Sequence, residues 1–256
     1  MPQTVHEVAE SISKKIVGRL PKTWRPRPYQ GFVFEHLGLD SIPLHEGEWL
    51  LLTRTNRLAD RYGRLLREAG WVYKNRHGDP SIVPGLFDAI VDWEAWIRGA
   101  KLVPSQIKGI YYYLKADVGY REGYAPSARI FSTLDATVAL SMDEARVSLG
   151  LLAPKDIWKR ALTKVDDETK HYILSARRRG DTVKNPRITV STIHSMKGAE
   201  RDNVVLVPEL NWASYDEYRS NPNPEHRVWY VAATRAKESL HILNSNSLSH
   251  HYAYPI

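Results

Sequence analysis

The sequence predicts an α/β protein, a parallel sheet flanked by helices and carrying a mostly helical insertion. Three observations point there. Short apolar runs alternate with amphipathic stretches at both ends of the 256-residue chain. The middle shows helical periodicity broken by prolines. Polar clusters lie beside the apolar runs, and in an open parallel sheet ligands gather at the carboxyl ends of the strands.

Taken in order, Val5, Val8, Ile12, Ile16 and Leu20 recur at helical spacing and predict a helix over Thr4 to Leu20, stopped by Pro21. KTWRPRPYQG holds two prolines and follows a third, Pro21, and cannot be regular. Phe32 to Phe34 and EWLLLT predict short strands, the second largely buried. NRLADRYGRLLREAG is an amphipathic helix with Asn56 as N-cap and Gly70 just past its end. Further helices are expected over PGLFDAIVDWEAWIRGA and near PSQIKGIYYYLK. Strand character returns at RITVST and NVVLVP, a helix over PEHRVWYVAATRA has Pro224 near its first turn, and SLHIL is the last strand. Residues 1–104 and 187–256 are therefore expected to form the sheet domain, and 105–186 the insertion.

Bulk composition narrows the class. With 43% hydrophobic and 25% charged residues the chain is long enough for a sizeable core. It has no cysteine, which excludes a disulfide framework. No apolar run approaches the ~20 residues that span a bilayer, so no membrane partner is expected. The opening MPQTVHEVAE lacks a secretion-signal pattern, so a cytoplasmic location is expected. A formal charge of +7 inclines the chain towards polyanions.

Three polar clusters carry candidate chemistry: Arg54 in TRTN; Thr192, His194, Lys197, Gly198 and Glu200 in TIHSMKGAE; and Arg235 in ATRAKE. Each has a plain structural explanation when taken alone. Arg54 could pair with a carboxylate, Gly198 could serve only a turn, and Arg235 lies where a helix dipole favours cations.

Their order resembles the UvrD/Rep/PcrA family of superfamily 1 DNA helicases. LLTRTNRLADRYGRLLREAGWVY is similar to that family's motif IV, TIHSMKGAE to motif V and EHRVWYVAATRAKESLHIL to motif VI. The compact form is most like phage-encoded members, which would place the protein in a host cytoplasm. The resemblance implies a RecA-like domain of the P-loop NTPase type, the second of the two between which such helicases hold ATP. It implies that Arg54 and Arg235 reach the γ-phosphate and converge on one outward-facing patch. It also implies that Glu200 takes the ribose, that Gly198 and Lys197 belong to the nucleotide site, and that Thr192 and His194 touch single-stranded DNA. Fixed guanidinium groups suit this chemistry because charge on the transferred phosphoryl oxygens must be stabilised. Ala199 and Arg201 depart from the family's pattern, which has leucine and an aromatic there, so the packing beneath that turn is expected to differ.

No G-x-x-x-x-G-K-[ST] loop occurs in the chain. VALSMDEA has the outline of a metal-binding strand ending in Asp143 and Glu144, but its position before motif V favours a helix. The resemblance thus implies that the phosphates of ATP, and the Mg²⁺ with its ligands, are held by a separate Walker A domain, in the same protein or a second chain. The expected activity is that of the C-terminal motor domain of a 3′→5′ ATP-dependent DNA helicase or translocase, inactive alone and acting on single-stranded or partly duplex DNA. The alternative is a helicase-like DNA-binding or docking subunit without catalysis. No metal site is expected in the chain itself; His250 and His251 lack further ligands at useful spacing and suggest a disordered end. Arg57, Arg61 and Arg64 form a basic helix stripe, most simply a solvated face. Trp24 to Tyr29 and Arg177 to Arg179 are weaker nucleic-acid candidates, and Tyr111 to Tyr113 cannot share one helix face.

Overall fold

The computed structural model describes residues 1–20, 25–196, 198–244 and 250–255. Its chain packs into two compact units, Met1–Ser81 with Asn185–Ile256, and Ile82–Lys184.

The first unit is built on a six-stranded sheet: β1 (Phe32–His36), β2 (Trp49–Thr53), β3 (Tyr73–Lys74), β4 (Ile188–Thr192), β5 (Arg201–Leu206) and β6 (Ala236–Leu243). The spatial order is β1-β6-β5-β2-β4-β3, and every pairing is parallel. The α/β expectation holds, and the arrangement is that of a RecA-like sheet flanked by helices. In β2 and β4 all five residues are buried, as parallel strands covered on both faces require.

Alternation along the strands sorts the core into two layers. Leu50, Leu52, Val204, Leu206, Leu240 and Ile242 face one side and pack with Val5, Val8 and Ile12 of α1 (Gln3–Lys14) and Trp229 of a C-terminal helix. Trp49, Leu51, Ile188, Val190, Val205 and Val207 face the other side, against Tyr62 and Leu66 of α2 (Asn56–Glu68). Each fully buried aliphatic side chain contributes about 1.5–3 kcal/mol, so these layers fix the strand ends that carry the polar residues.

The second unit, taken by itself, is helical: α3 (Pro84–Ile97), α4 (Pro104–Tyr111), α5 (Ile130–Thr133), α6 (Met142–Ser148), α7 (Trp158–Ala161) and α8 (Asp167–Arg179). Trp93 and Trp96 of α3 are buried, their indole N–H groups donating to the carbonyls of Asp156 and Leu140 at 2.9 and 3.0 Å. Because α3 packs on α4, the compact boundary falls at Ile82 rather than near residue 104. Asp143 and Glu144 open α6, where the Ser141 hydroxyl accepts from the Glu144 N–H and the Glu144 carboxylate accepts from the Ser141 N–H at 2.6 Å. This is a capping box, so the helix expected at VALSMDEA is present. Tyr111 is core, with Tyr112 exposed beside it.

Between β5 and β6 the first unit carries α9 (Trp212–Ser220) and α10 (Pro222–Ala233). Several local expectations differ from what is seen. The first helix stops at Lys14, and Val17 and Leu20 beyond it are 76% and 77% exposed. The N-cap of α2 is Thr55, whose hydroxyl accepts from the Leu58 N–H, one residue before Asn56. Gly70 does close that helix, at φ 79°. The C-terminal stretch is not loose: Tyr252 is buried, stacks on Trp229 at 5.3 Å and hydrogen-bonds His226 Nδ1 at 2.8 Å.

Candidate functional site

In this sheet the strands' carboxyl ends lie along one edge and their amino ends along the other, and the candidate residues divide between the two. Arg54 follows β2 directly at the carboxyl edge. Leu50 and Leu52 face α1 and α10, so strand alternation turns Arg54 to that same side. There its Nε donates to Glu225 Oε1 at 2.9 Å and Oε2 at 3.2 Å, and its Nη2 meets Oε1 at 2.8 Å. Glu225 lies in the first turn of α10, where the helix dipole favours its charge; its side chain is 3% exposed and that of Arg54 22%.

Thr192 ends β4 on the same edge. Its hydroxyl pairs with Ser195 Oγ at 2.9 Å and accepts from the Ser195 N–H at 3.2 Å, so it closes the turn that presents the exposed His194. Nearby, Arg61 of α2 forms a fork on Glu209, both hydrogen bonds at 2.7 Å. Burial pulls the Arg61 pKa down, but the hydrogen bonds and charge of Glu209 outweigh it and the net shift is upward. This arginine of the basic stripe is thus structural, while Arg57 and Arg64 are exposed.

Glu200, Gly198 and Arg235 lie at the other edge. Arg201 opens β5 and Ala236 opens β6, and the Arg201 N–H donates to the Arg235 carbonyl at 3.1 Å. Arg235 therefore precedes a strand rather than following one, unlike Arg54 and Thr192. Its Nε donates to the Val231 carbonyl at 3.0 Å, its Nη2 to Thr234 Oγ1 at 3.0 Å and its Nη1 to the Ala199 carbonyl at 3.5 Å. Gly198 has φ 93°, a conformation glycine tolerates without cost, and Glu200 is exposed. At the departures from the family pattern, Met196 and Ile193 pack the turn from below, and Arg201 turns to Glu48 at 3.3 Å. Lys197 and Trp24 lie outside the described residues.

Arg54 and Arg235 thus share one face of the sheet and one helix, but the structure does not join them. Arg54 is tied to Glu225 and Arg235 follows the end of α10, ten residues on, about 15 Å of helix rise. The weaker candidates have protein partners: Arg177 forms a fork on Glu94 at 2.7 and 3.2 Å, and Arg179 pairs with Asp181 at 3.3 Å. Among the described residues no group of three or more histidine or carboxylate side chains is placed to hold a metal, and no helix is long and apolar enough to cross a membrane. Glu225 and Glu209, the carboxylates that hold two of these arginines, were not singled out from the sequence. Their one signal is position: Glu225 in a helix's first turn after Pro224, Glu209 just past an apolar strand.

The fold and these edges define an α/β domain of the RecA-like class. Residues 159–247 match the family model described as the UvrD-like helicase C-terminal domain. The matched segment contains Thr192, His194, Gly198, Glu200, Glu225 and Arg235, whereas Arg54 lies outside it. No curated protein matches the chain.

Proposed function

We propose that the chain is the second motor domain of an ATP-driven, 3′→5′ DNA helicase or translocase. Arg235 stabilises charge on the transferred phosphoryl group, Glu200 binds the ribose, and Gly198 and Lys197 belong to the nucleotide site. Thr192 and His194 contact the DNA strand. The phosphates and the Mg²⁺ are held by a separate domain with a phosphate-binding loop, and closure around ATP changes the grip on DNA.

The observation that supports this reading most is Arg235. It lies inside the helicase-domain match, and its guanidinium is held by two main-chain carbonyls and a hydroxyl rather than by a carboxylate. A guanidinium fixed by neutral acceptors retains its charge for an incoming anion. Mixing the chain with a helicase amino-terminal half and measuring DNA-stimulated ATP hydrolysis tests the proposal. The mixture should hydrolyse ATP, each part alone should not, and Arg235→Ala should abolish the restored rate. An unchanged rate in that variant, with DNA binding intact, would favour the docking-subunit alternative.

A further inference from the structure

The apolar stripe of α1 outlasts its helix. Val5, Val8 and Ile12 are buried, and Ile16 and Leu20 continue their spacing, yet the helix stops at Lys14. The chain that follows is held rather than loose. The Val17 N–H donates to Asn223 Oδ1 at 2.9 Å, and the Val17 carbonyl accepts from Asn223 Nδ2 at 3.5 Å, which ties this exit to the first turn of α10. Gly18 then takes φ 73°, a left-handed conformation that glycine adopts without strain, and the Arg19 guanidinium turns back to donate to the Ser13 hydroxyl. A cavity of about 350 Å³ is walled by Ile16, Gly18, Arg19 and Leu20 on the exit side and by Arg227 and Tyr230 on α10. That volume is near the lower end of the ~300–1,000 Å³ at which proteins hold ligands.

The walls combine two chemistries. Leu20 and its near neighbour Val17 are largely exposed apolar side chains. Arg19 and Arg227 are exposed as well, and no carboxylate stands among the described residues that line the cavity. Arg19 meets a neutral hydroxyl, and Arg227 makes no hydrogen bond or ion pair among the described residues, so both keep their charge for an incoming anion. Lys14 and Lys15 add positive charge at the exit, against one exposed contact of Lys14 with Glu10 at 3.6 Å. We propose that this cleft docks an acidic segment of another protein, with one apolar side chain entering between Leu20 and Tyr230 and carboxylates meeting Arg19 and Arg227. Arginine forks suit carboxylates, and arginine and tyrosine are the residue types that anchor interfaces. A nucleic-acid strand would use the cations but not the aliphatic wall. A second copy of this chain, itself at a formal +7, is a poor electrostatic match. None of the lining residues is assigned above to the nucleotide or to DNA, so the inference goes beyond the motor reading and stands apart from it.

The test selects short peptides from a random displayed library on the immobilised full chain. The enriched sequences are then synthesised with a fluorescent label and their binding is measured by anisotropy at physiological salt. They should combine aspartate or glutamate with a large apolar residue. Arg227→Glu and Leu20→Ser, both at exposed positions, should each weaken binding about 10-fold or more. Thermal unfolding of each variant shows that it is folded at the assay temperature. Oligothymidylate should not displace the peptide. A selection that yields no acidic and apolar sequences overturns the proposal, and so does binding indifferent to either substitution. Displacement by oligothymidylate would make the cleft a nucleic-acid surface instead. A dimer seen in sedimentation and abolished by Arg227→Glu would give it to a second copy of the chain, and either result also overturns the proposal.

Discussion

The two edges of the sheet hold their arginines by different physics. At the carboxyl edge Arg54 is locked by a sealed carboxylate in a charge-assisted fork. At the amino edge Arg235 is held by carbonyls and a hydroxyl beside the end of α10, where the helix dipole favours a cation. The first arrangement fixes orientation and neutralises charge. The second fixes orientation and leaves the charge standing. Two residues given the same role by resemblance should therefore fail differently when removed.

The largest contrast is in activity. Arg235→Ala should cost roughly 10³-fold or more in the DNA-stimulated ATPase of the reconstituted pair, the range set by arginine fingers. Its unfolding free energy should fall by only about 1–2 kcal/mol, because the partners it leaves behind are neutral and partly exposed. Denaturant titration beside the kinetic assay checks both numbers. A variant that unfolds instead of losing turnover would make the amino-edge arginine structural.

Arg54→Ala should reverse the balance. It strands Glu225 as a sealed, unpaired carboxylate, which costs about 3–5 kcal/mol. Replacing both residues, Arg54→Met with Glu225→Leu, should restore most of that stability. A double variant no more stable than Arg54→Ala would mean the pair holds the α10 start by something other than its charges.

Much of this was legible from residues alone, and the reason is periodicity. WLLLT is an apolar run with no polar face, which only a strand covered on both sides can use, and it proved buried throughout, as did Ile188–Thr192 within RITVST. The helix of α2 announced itself through its apolar stripe and Gly70. Helix α9 did not, because none of its residues is buried and it has no stripe to find. Strand β3 is two residues long, below any period. The separation of the arginines was hidden for a different reason. A motif gives the order of residues along the chain, whereas the edge each one occupies depends on whether it follows or precedes its strand in a sheet of order β1-β6-β5-β2-β4-β3. Arg54 follows β2 and Arg235 precedes β6.

A pH effect sets the range in which the two edges can be compared. His241 of β6 lies on the sheet face away from α10, with Nδ1 at 2.8 Å from His36 Nε2 and Nε2 at 2.8 Å from Ser239 Oγ. Burial, then the neighbouring His36, pushes its pKa down to about 4. The unfolded chain, with a histidine pKa near 6.5, binds the proton more readily than the folded one, so ΔG of unfolding falls as pH drops. The stability should be fully present above about pH 6.5 and decline towards pH 4, with a loss on the order of 2–3 kcal/mol. His241→Gln should flatten that decline in urea titrations at stepped pH. An unaltered slope would locate the acid sensitivity elsewhere, and assays of either arginine belong at or above neutral pH.

The smallest effect isolates exposure as the variable. Arg61 forms on Glu209 a fork at least as short as that of Arg54 on Glu225, and it sits on the same carboxyl edge. Its side chain is 43% exposed, however, and Glu209 keeps 12%. Water can solvate either charge once the partner is gone, so Arg61→Ala should cost at most about 1 kcal/mol, and most of that should vanish in molar salt. If burial rather than geometry decides what an arginine–carboxylate fork is worth, Arg54→Ala must exceed Arg61→Ala several-fold at every salt concentration. Equal losses at the two sites would mean that Glu225 is hydrated once Arg54 is removed, and the contrast between the two edges would then rest on Arg235 alone.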